Sequence, residues 1–135
     1  MTAATAATLP ARGRLKTQHH FRAVYQRGRR AAGLWLTVVA LRRQLANGAP
    51  PPMPRLGVSV SKDHGGAVRR NKLKRLLREA FRLERHRLPP GLDVVLIPRQ
   101  REDDFPLAAL RAELVPLVQR ALAHGGDDRR PRRRP

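Results

Sequence analysis

Residues 67–87 read AVRRNKLKRLLREAFRLERHR. They carry nine lysines and arginines (Arg69, Arg70, Lys72, Lys74, Arg75, Arg78, Arg82, Arg85 and Arg87) against two carboxylates, Glu79 and Glu84. The chemistry open to such a set is neutralisation of phosphate, because guanidinium groups present forked donors that match phosphate oxygens. The apolar residues Leu73, Leu76, Leu77 and Ala80 keep helical spacing. At about 100° per residue they fall within roughly 60° of Leu73, while Asn71, Lys74, Arg75, Arg78, Arg82 and Arg85 occupy the other half of the helix at roughly 100–200°. One side needs a core and the other needs an anion. A helix so charged repels itself, and a polyanionic partner is its simplest explanation.

Other chemistry is thin. The chain has no cysteine, which excludes disulfides, cysteine-ligated zinc and thiol catalysis. His19 and His20 are adjacent, so on a helix they point apart. His64, His86 and His124 are isolated, and neither H-E-x-x-H nor a Walker A loop is present. Glu102, Asp103 and Asp104 precede a helical pattern and read as caps before metal ligands. The turn Asp63–Gly66 stands equally as a phosphate-binding turn ahead of a helix and as an ordinary turn that needs glycine. Phe21 and Tyr25 share one side of a short helix. By pattern alone they read first as a staple onto the sheet and second as a platform for unstacked bases. Trp35 is open in the same way. No nucleophile–base or metal constellation declares itself, so the residues do not describe a self-contained enzyme.

Several elements must position these groups. Lys16–Arg27 fits a short helix with Thr17 as its cap and Gly28 as its stop. Leu34–Leu41 is a β-rich run, and Arg55–Lys62 alternates apolar and small residues as a half-wet strand. The basic helix ends at Pro89-Pro90-Gly91. Leu92–Ile97 reads as a central strand. Pro106–His124 is a third helix, which Pro116 should kink or shorten. A further short strand fits within 28–34 or the proline-rich loop 46–54. The expected fold is a single two-layer α+β domain in the order α-β-β-(β)-α-β-α, with a mixed sheet packed by helices. Residues 1–13 read as a disordered leader, 14–124 as the domain, and 125–135 as a disordered basic tail.

The chain of 135 residues has 29 basic and 10 acidic side chains and a net charge of +19. Nucleic acid is the first partner class that this charge suggests and an anionic membrane surface the second. The longest apolar run, Leu34–Leu41, has eight residues, far short of the roughly 18 a membrane span needs.

The segment RLGVSVSKDHGGAVRRNKLKRLLREAFR (55–82) resembles the signature of the protein component of bacterial ribonuclease P: strand, glycine turn, then a helix opening on Arg70-Asn71-Lys72, followed by Lys74-Arg75 and Arg78. RLKTQHHFRAVYQRGRR (14–30) is similar to the family's first helix, and GLDVVLIPR (91–99) to the strand after the basic helix. The resemblance covers about residues 14–122. It implies a protein subunit without catalytic groups that binds a catalytic RNA and the 5′ leader of precursor tRNA, assisting the RNA in endonucleolytic 5′ maturation. It implies RNA-subunit contacts from Arg69, Arg70, Asn71, Lys72, Lys74, Arg75, Arg78 and Arg82. Leader contacts are implied from Phe21, Tyr25, Lys62 and Trp35, in a cleft between helix one and the sheet. The strand–helix–strand crossover of the family is left-handed. No cofactor is expected on the protein alone and Mg2+ is expected in the RNA holoenzyme. The expected location is the cytoplasm, with no membrane and no stable protein partner. Val39 stands where the family often has an aromatic, and Asp63, His64 and Gly65-Gly66 replace a second basic residue and Gly-Asn. The competing readings are a ribosomal or other structural RNA-binding protein and a membrane-surface or DNA-packaging protein.

Overall fold

The strands Leu36–Arg42 (β2) and Leu92–Pro98 (β4) hold the molecule together. Their sequences LTVVALR and LDVVLIP are rich in branched residues, and β4 is buried at six of its seven positions. The computed structural model describes residues 13–15, 18–43, 52–100 and 104–123. Around β2 and β4 lie the strands Arg29–Ala32 (β1) and Arg55–Val58 (β3) and the helices Gln18–Arg27 (α1), Ala67–Glu84 (α2) and Leu107–Ala123 (α3). The sheet order is β1-β2-β4-β3. β1 and β4 pair antiparallel to β2, and β3 pairs parallel to β4. Parallel neighbours need a long crossover, and α2 supplies it. The result is the mixed-sheet α+β arrangement that the sequence led us to expect.

Strand alternation sends two sets of side chains to opposite faces. Leu36, Val38, Ala40, Leu56, Val94 and Leu96 meet Leu73, Leu77 and Phe81 of α2 and Leu110, Leu114 and Val118 of α3. On the other face Val39 and Val95 meet Leu15 and Val24, with Phe21, Tyr25, Leu41 and Ile97 packed round them. Thus α2 and α3 form one layer, and α1 covers part of the far face.

Three buried or half-buried carboxylates fix the layers. Glu84 accepts from Arg87 at 2.9 Å and from Arg111 at 2.7 Å, tying α2 to α3. Asp93 is held by both donors of Arg55 at 2.8 and 2.9 Å. Glu113 of α3 accepts from the backbone N–H groups of Leu34, Trp35 and Leu36 at 2.6, 2.9 and 3.0 Å. A Cβ at Gly33 would lie 2.9 Å from that carboxyl group, so a side chain there would push the Glu113 carboxylate away from the N–H groups it holds.

Several boundaries differ from the sequence reading. The fourth strand is β1, in the 28–34 window. Leu34 and Trp35 belong to the β1–β2 turn rather than to a strand. β3 ends at Val58, although the Ser59 N–H still reaches the Leu96 carbonyl at 3.0 Å, and a 3-10 turn occupies Lys62–His64. The last residues of the basic segment, Arg85–Arg87, are 3-10 rather than α. α3 runs through Pro116. Pro116 and Ala112 are both exposed, so the carbonyl that loses its N–H partner lies where water serves it. The Thr17 cap, the basic tail, and the leader apart from Gly13 lie outside the described residues.

Candidate nucleic-acid interface

On α2, Leu73, Leu77, Ala80 and Phe81 are buried as one stripe. Leu76, expected with them, is half-buried. On the outer side Asn71, Lys72 and Arg75 are exposed, and Lys74 and Arg78 half-exposed. Three other basic residues of the helix make contacts within the protein. Arg82 grips Glu79 with two hydrogen bonds of 3.0 and 2.7 Å. That bond raises the Arg82 pKa and lowers the Glu79 pKa, the latter against the opposing effect of burial. Arg70 turns back to donate to the Gly65 carbonyl at 3.1 Å. Arg69 faces Asp104 at 3.6 Å; Asp104, expected as a cap of α3, therefore sits against α2. The Pro106 carbonyl accepts from the N–H groups of Ala109 and Leu110 in the first turn of α3.

Among the described residues Lys72, Lys74, Arg75 and Arg78, with Asn71 beside them, pair with no acid and form the most open basic strip of the helix. It turns the corner of the molecule. Arg14 bridges to Leu56 as an extra parallel rung at the β3 edge. Partial burial first, and the charge of Arg14 second, push the Arg78 pKa down. Two like charges are thus held close in the folded protein, and an anion set between them relieves that repulsion. Nothing in the local sequence pattern marked Arg14 as a partner of α2.

Phe21 and Tyr25 lie on the far face of the sheet, half-buried, with ring centroids 6.5 Å apart and planes at 34°. Phe21 rests on the backbone of β3: a Cβ at Gly57 would be 2.6 Å from its Cε1 and 2.7 Å from its Cζ. Val39 is fully buried beneath α1, so that strand position offers support and no exposed ring. An open cleft of about 430 Å³, lined by Thr37, Ser59, Ser61, His64, Ile97 and Gln100 among others, lies at the Thr37–Ile97 end of this face. Lys62 is exposed at the head of the 3-10 turn. Trp35 is not brought to these aromatics. Its ring meets Phe105 edge-on at 5.3 Å and packs with the α2–α3 cluster, because the β1–β2 turn aims it there. In the glycine turn, Gly65 has φ +118° and donates its N–H to the Lys62 carbonyl at 3.0 Å. Its bonds are those of a turn that holds itself.

The described residues thus carry a basic strip on the crossover helix, an aromatic pair on the opposite face of the sheet and Arg14 at the β3 edge. The ribonuclease P family model matches residues 9–122. The chain belongs to the ribonuclease P protein family. It is 38% identical over 118 residues to the ribonuclease P protein component of Desulfovibrio desulfuricans, covering 86% of this chain and 88% of that protein. The Brevibacillus brevis protein component is 37% identical over 108 residues, covering 80% and 82%. Among solved structures, the RNase P protein from Thermotoga maritima superposes with a TM-score of 0.67 at 30% identity, covering 79% of this chain and 96% of that one. The RNase P protein of Staphylococcus aureus gives 0.63 at 31% identity, covering 81% and 94%. Family membership makes this chain the protein component of a ribonucleoprotein endoribonuclease. No helix among the described residues is long and apolar enough to cross a membrane.

Proposed function

We propose that this chain binds the catalytic RNA of ribonuclease P through the outer face of α2, and the single-stranded 5′ leader of precursor tRNA across the α1 face. The observation that carries the reading is the separation of two surfaces by one β-sheet: cations on α2, half-exposed rings of Phe21 and Tyr25 on the other side. Lys72, Lys74, Arg75 and Arg78, extended by Arg14, neutralise phosphates of the RNA subunit. Tyr25, braced by Phe21 on Gly57, stacks a leader base, and Lys62 neutralises leader phosphate nearby. Mature tRNA lacks the leader, so these contacts favour substrate over product.

The chemistry belongs to the RNA. Among the described residues no group of three or more His, Asp or Glu side chains is placed to hold a metal. Glu79, Glu84, Asp93, Asp104 and Glu113 are each engaged by an arginine or by backbone N–H groups. In this reading the Mg2+ of the holoenzyme rests on RNA phosphates. By lowering phosphate repulsion the protein reduces the Mg2+ that the RNA needs. In this reading its site of action is the cytoplasm, where precursor tRNA is matured.

The test is reconstitution. The chain, added to a bacterial ribonuclease P RNA at low magnesium, should restore cleavage of precursor tRNA at its mature 5′ end. A protein with only a structural RNA-binding role would bind without restoring cleavage.

A further inference from the structure

The strand register lays Thr37, Ile97 and Ser59 in one row across β2, β4 and the end of β3. Thr37 pairs with Ile97. Val58 pairs with Leu96 and the Ser59 N–H reaches the Leu96 carbonyl, so Ser59 stands beside Ile97 on its other side. Alternation puts the three side chains on the α1 face, one row on from Val39, Val95 and Gly57 and about 7 Å from them. Val39 and Val95 are fully buried with Val24 of α1, and Phe21 rests on Gly57. Thr37, Ile97 and Ser59 are half-exposed. They line the open cleft of about 430 Å³ together with Ser61, whose Oγ accepts from Gln100 at 3.4 Å. Among the described residues no hydrogen bond holds the hydroxyl of Thr37 or Ser59.

We propose that this row reads the ribose 2′-hydroxyl of one leader nucleotide, so that the protein discriminates an RNA leader from a deoxyribose one at that position. The proposal rests on the leader-binding reading above and names what the open end of that face recognises. A ribose offers an apolar C–H face with a hydroxyl at its rim. The row offers an apolar centre, Ile97, between two hydroxyls about 10 Å apart between Cα atoms, two strand spacings. Serine and threonine hydroxyls both donate and accept, as the 2′-hydroxyl does. A base in the cleft would want a ring to stack on. The ring in the lining is that of His64, which is buried, bonded to the Pro98 carbonyl at 3.2 Å and set edge-on to Phe105. A phosphate in the cleft would want cations, yet the lining holds a single fixed charge, Arg99, and no carboxylate. Arg99 and the exposed Lys62 instead suit the phosphates on either side of a bound sugar. The row next to it carries Phe21, so a base held by the aromatic pair and a sugar held by the hydroxyls belong to one short run of single strand.

The test pairs substrate and protein changes. Precursor tRNA is made with an all-ribose leader and with single 2′-deoxy substitutions along it, and its equilibrium affinity is measured for holoenzyme reconstituted with the wild type or with T37V/S59A. Both substitutions remove a hydroxyl from a half-exposed residue. Unchanged affinity for the RNA subunit reports that the fold is kept, and S59A alone serves if the double variant fails that control. With the wild type, one 2′-deoxy position should weaken binding by about two- to twelve-fold, the worth of one hydrogen bond. T37V/S59A should lose a similar factor on the all-ribose precursor, lose nothing further at that deoxy position and bind mature tRNA as the wild type does. Independent, multiplying losses overturn the proposal, and so does a leader in which no deoxy position matters. A loss that follows the base at a position and not its sugar also overturns it. Tyr25→Leu, measured alongside, separates the two readings. If it weakens precursor tRNA alone while every deoxy position is silent, only the sugar reading fails; if it too is silent, the leader reading fails with it.

Discussion

Tyr25 is the residue on which substrate preference turns most sharply. Its ring is half-buried on the α1 face and its neighbour Phe21 is pinned against Gly57, so Phe21 is a brace and Tyr25 offers the freer face. A base stacked on an aromatic side chain contributes about 1–3 kcal/mol, or roughly five- to 150-fold in affinity at 1.4 kcal/mol per decade. Tyr25→Leu keeps apolar packing against Val24 and Val39 while removing the ring, and its stability cost should stay near 1 kcal/mol. The assay compares the equilibrium affinity of reconstituted holoenzyme for precursor tRNA with a five-nucleotide leader and for mature tRNA. Tyr25→Leu should weaken the precursor by that factor and leave mature tRNA within twofold. Equal losses on both, or no loss on either, would refute the stacking argument and return Tyr25 to a purely structural role.

Two further predictions concern the scaffold. The Arg111 hydrogen bond, helped by Arg87 and opposed by burial, holds the Glu84 pKa below its ordinary value of 4.5. Its stabilisation is therefore present above about pH 4.5 and lost as pH falls through the lower folded value. Glu84→Gln should cost about 1–3 kcal/mol at pH 7 and should flatten the loss of stability on acidification in urea titrations; an equally steep acid loss in the variant would contradict the assignment. Gly33→Ala and Glu113→Ala should each destabilise by about 1–3 kcal/mol. Because both break the same clamp on the β1–β2 turn, the double variant should lose clearly less than the sum; strict additivity would show that the two do not act together.

What the sequence made legible follows the strength of local pattern. The stripe Leu73, Leu77, Ala80 was readable because helical periodicity is strict there, and Leu92–Ile97 read as a central strand because it is apolar on both faces. β1 was visible only as a window, since Arg29-Arg30-Ala31-Ala32 has no alternation. Pairing with β2 and the clamp of Glu113 from α3, both distant in sequence, make it a strand. Trp35 shows the same limit: its side of the sheet is set by a turn that a residue 78 positions away closes. Arg82 was placed on the basic face by the helical wheel, and there a local signal existed, because Glu79 stands three residues earlier and takes its charge. Pro116 argued for a broken helix, but exposure of Ala112 and Pro116 makes the missing bond cheap. The reach of Arg14 to the α2 surface depends on a bridge to β3 and had no local mark at all.

The central claim is that the outer face of α2 lies on RNA phosphates. It is tested most directly by the salt dependence of binding between this chain and the RNA subunit, measured for the wild type and for Arg75→Ala with Arg78→Ala. If those side chains displace counterions, the log–log slope should fall by about 1.4 to 1.8, from about 0.7 per single-strand phosphate to 0.9 per duplex phosphate, with affinity lower throughout. Identical slopes for the two proteins would mean that α2 faces something other than the RNA backbone.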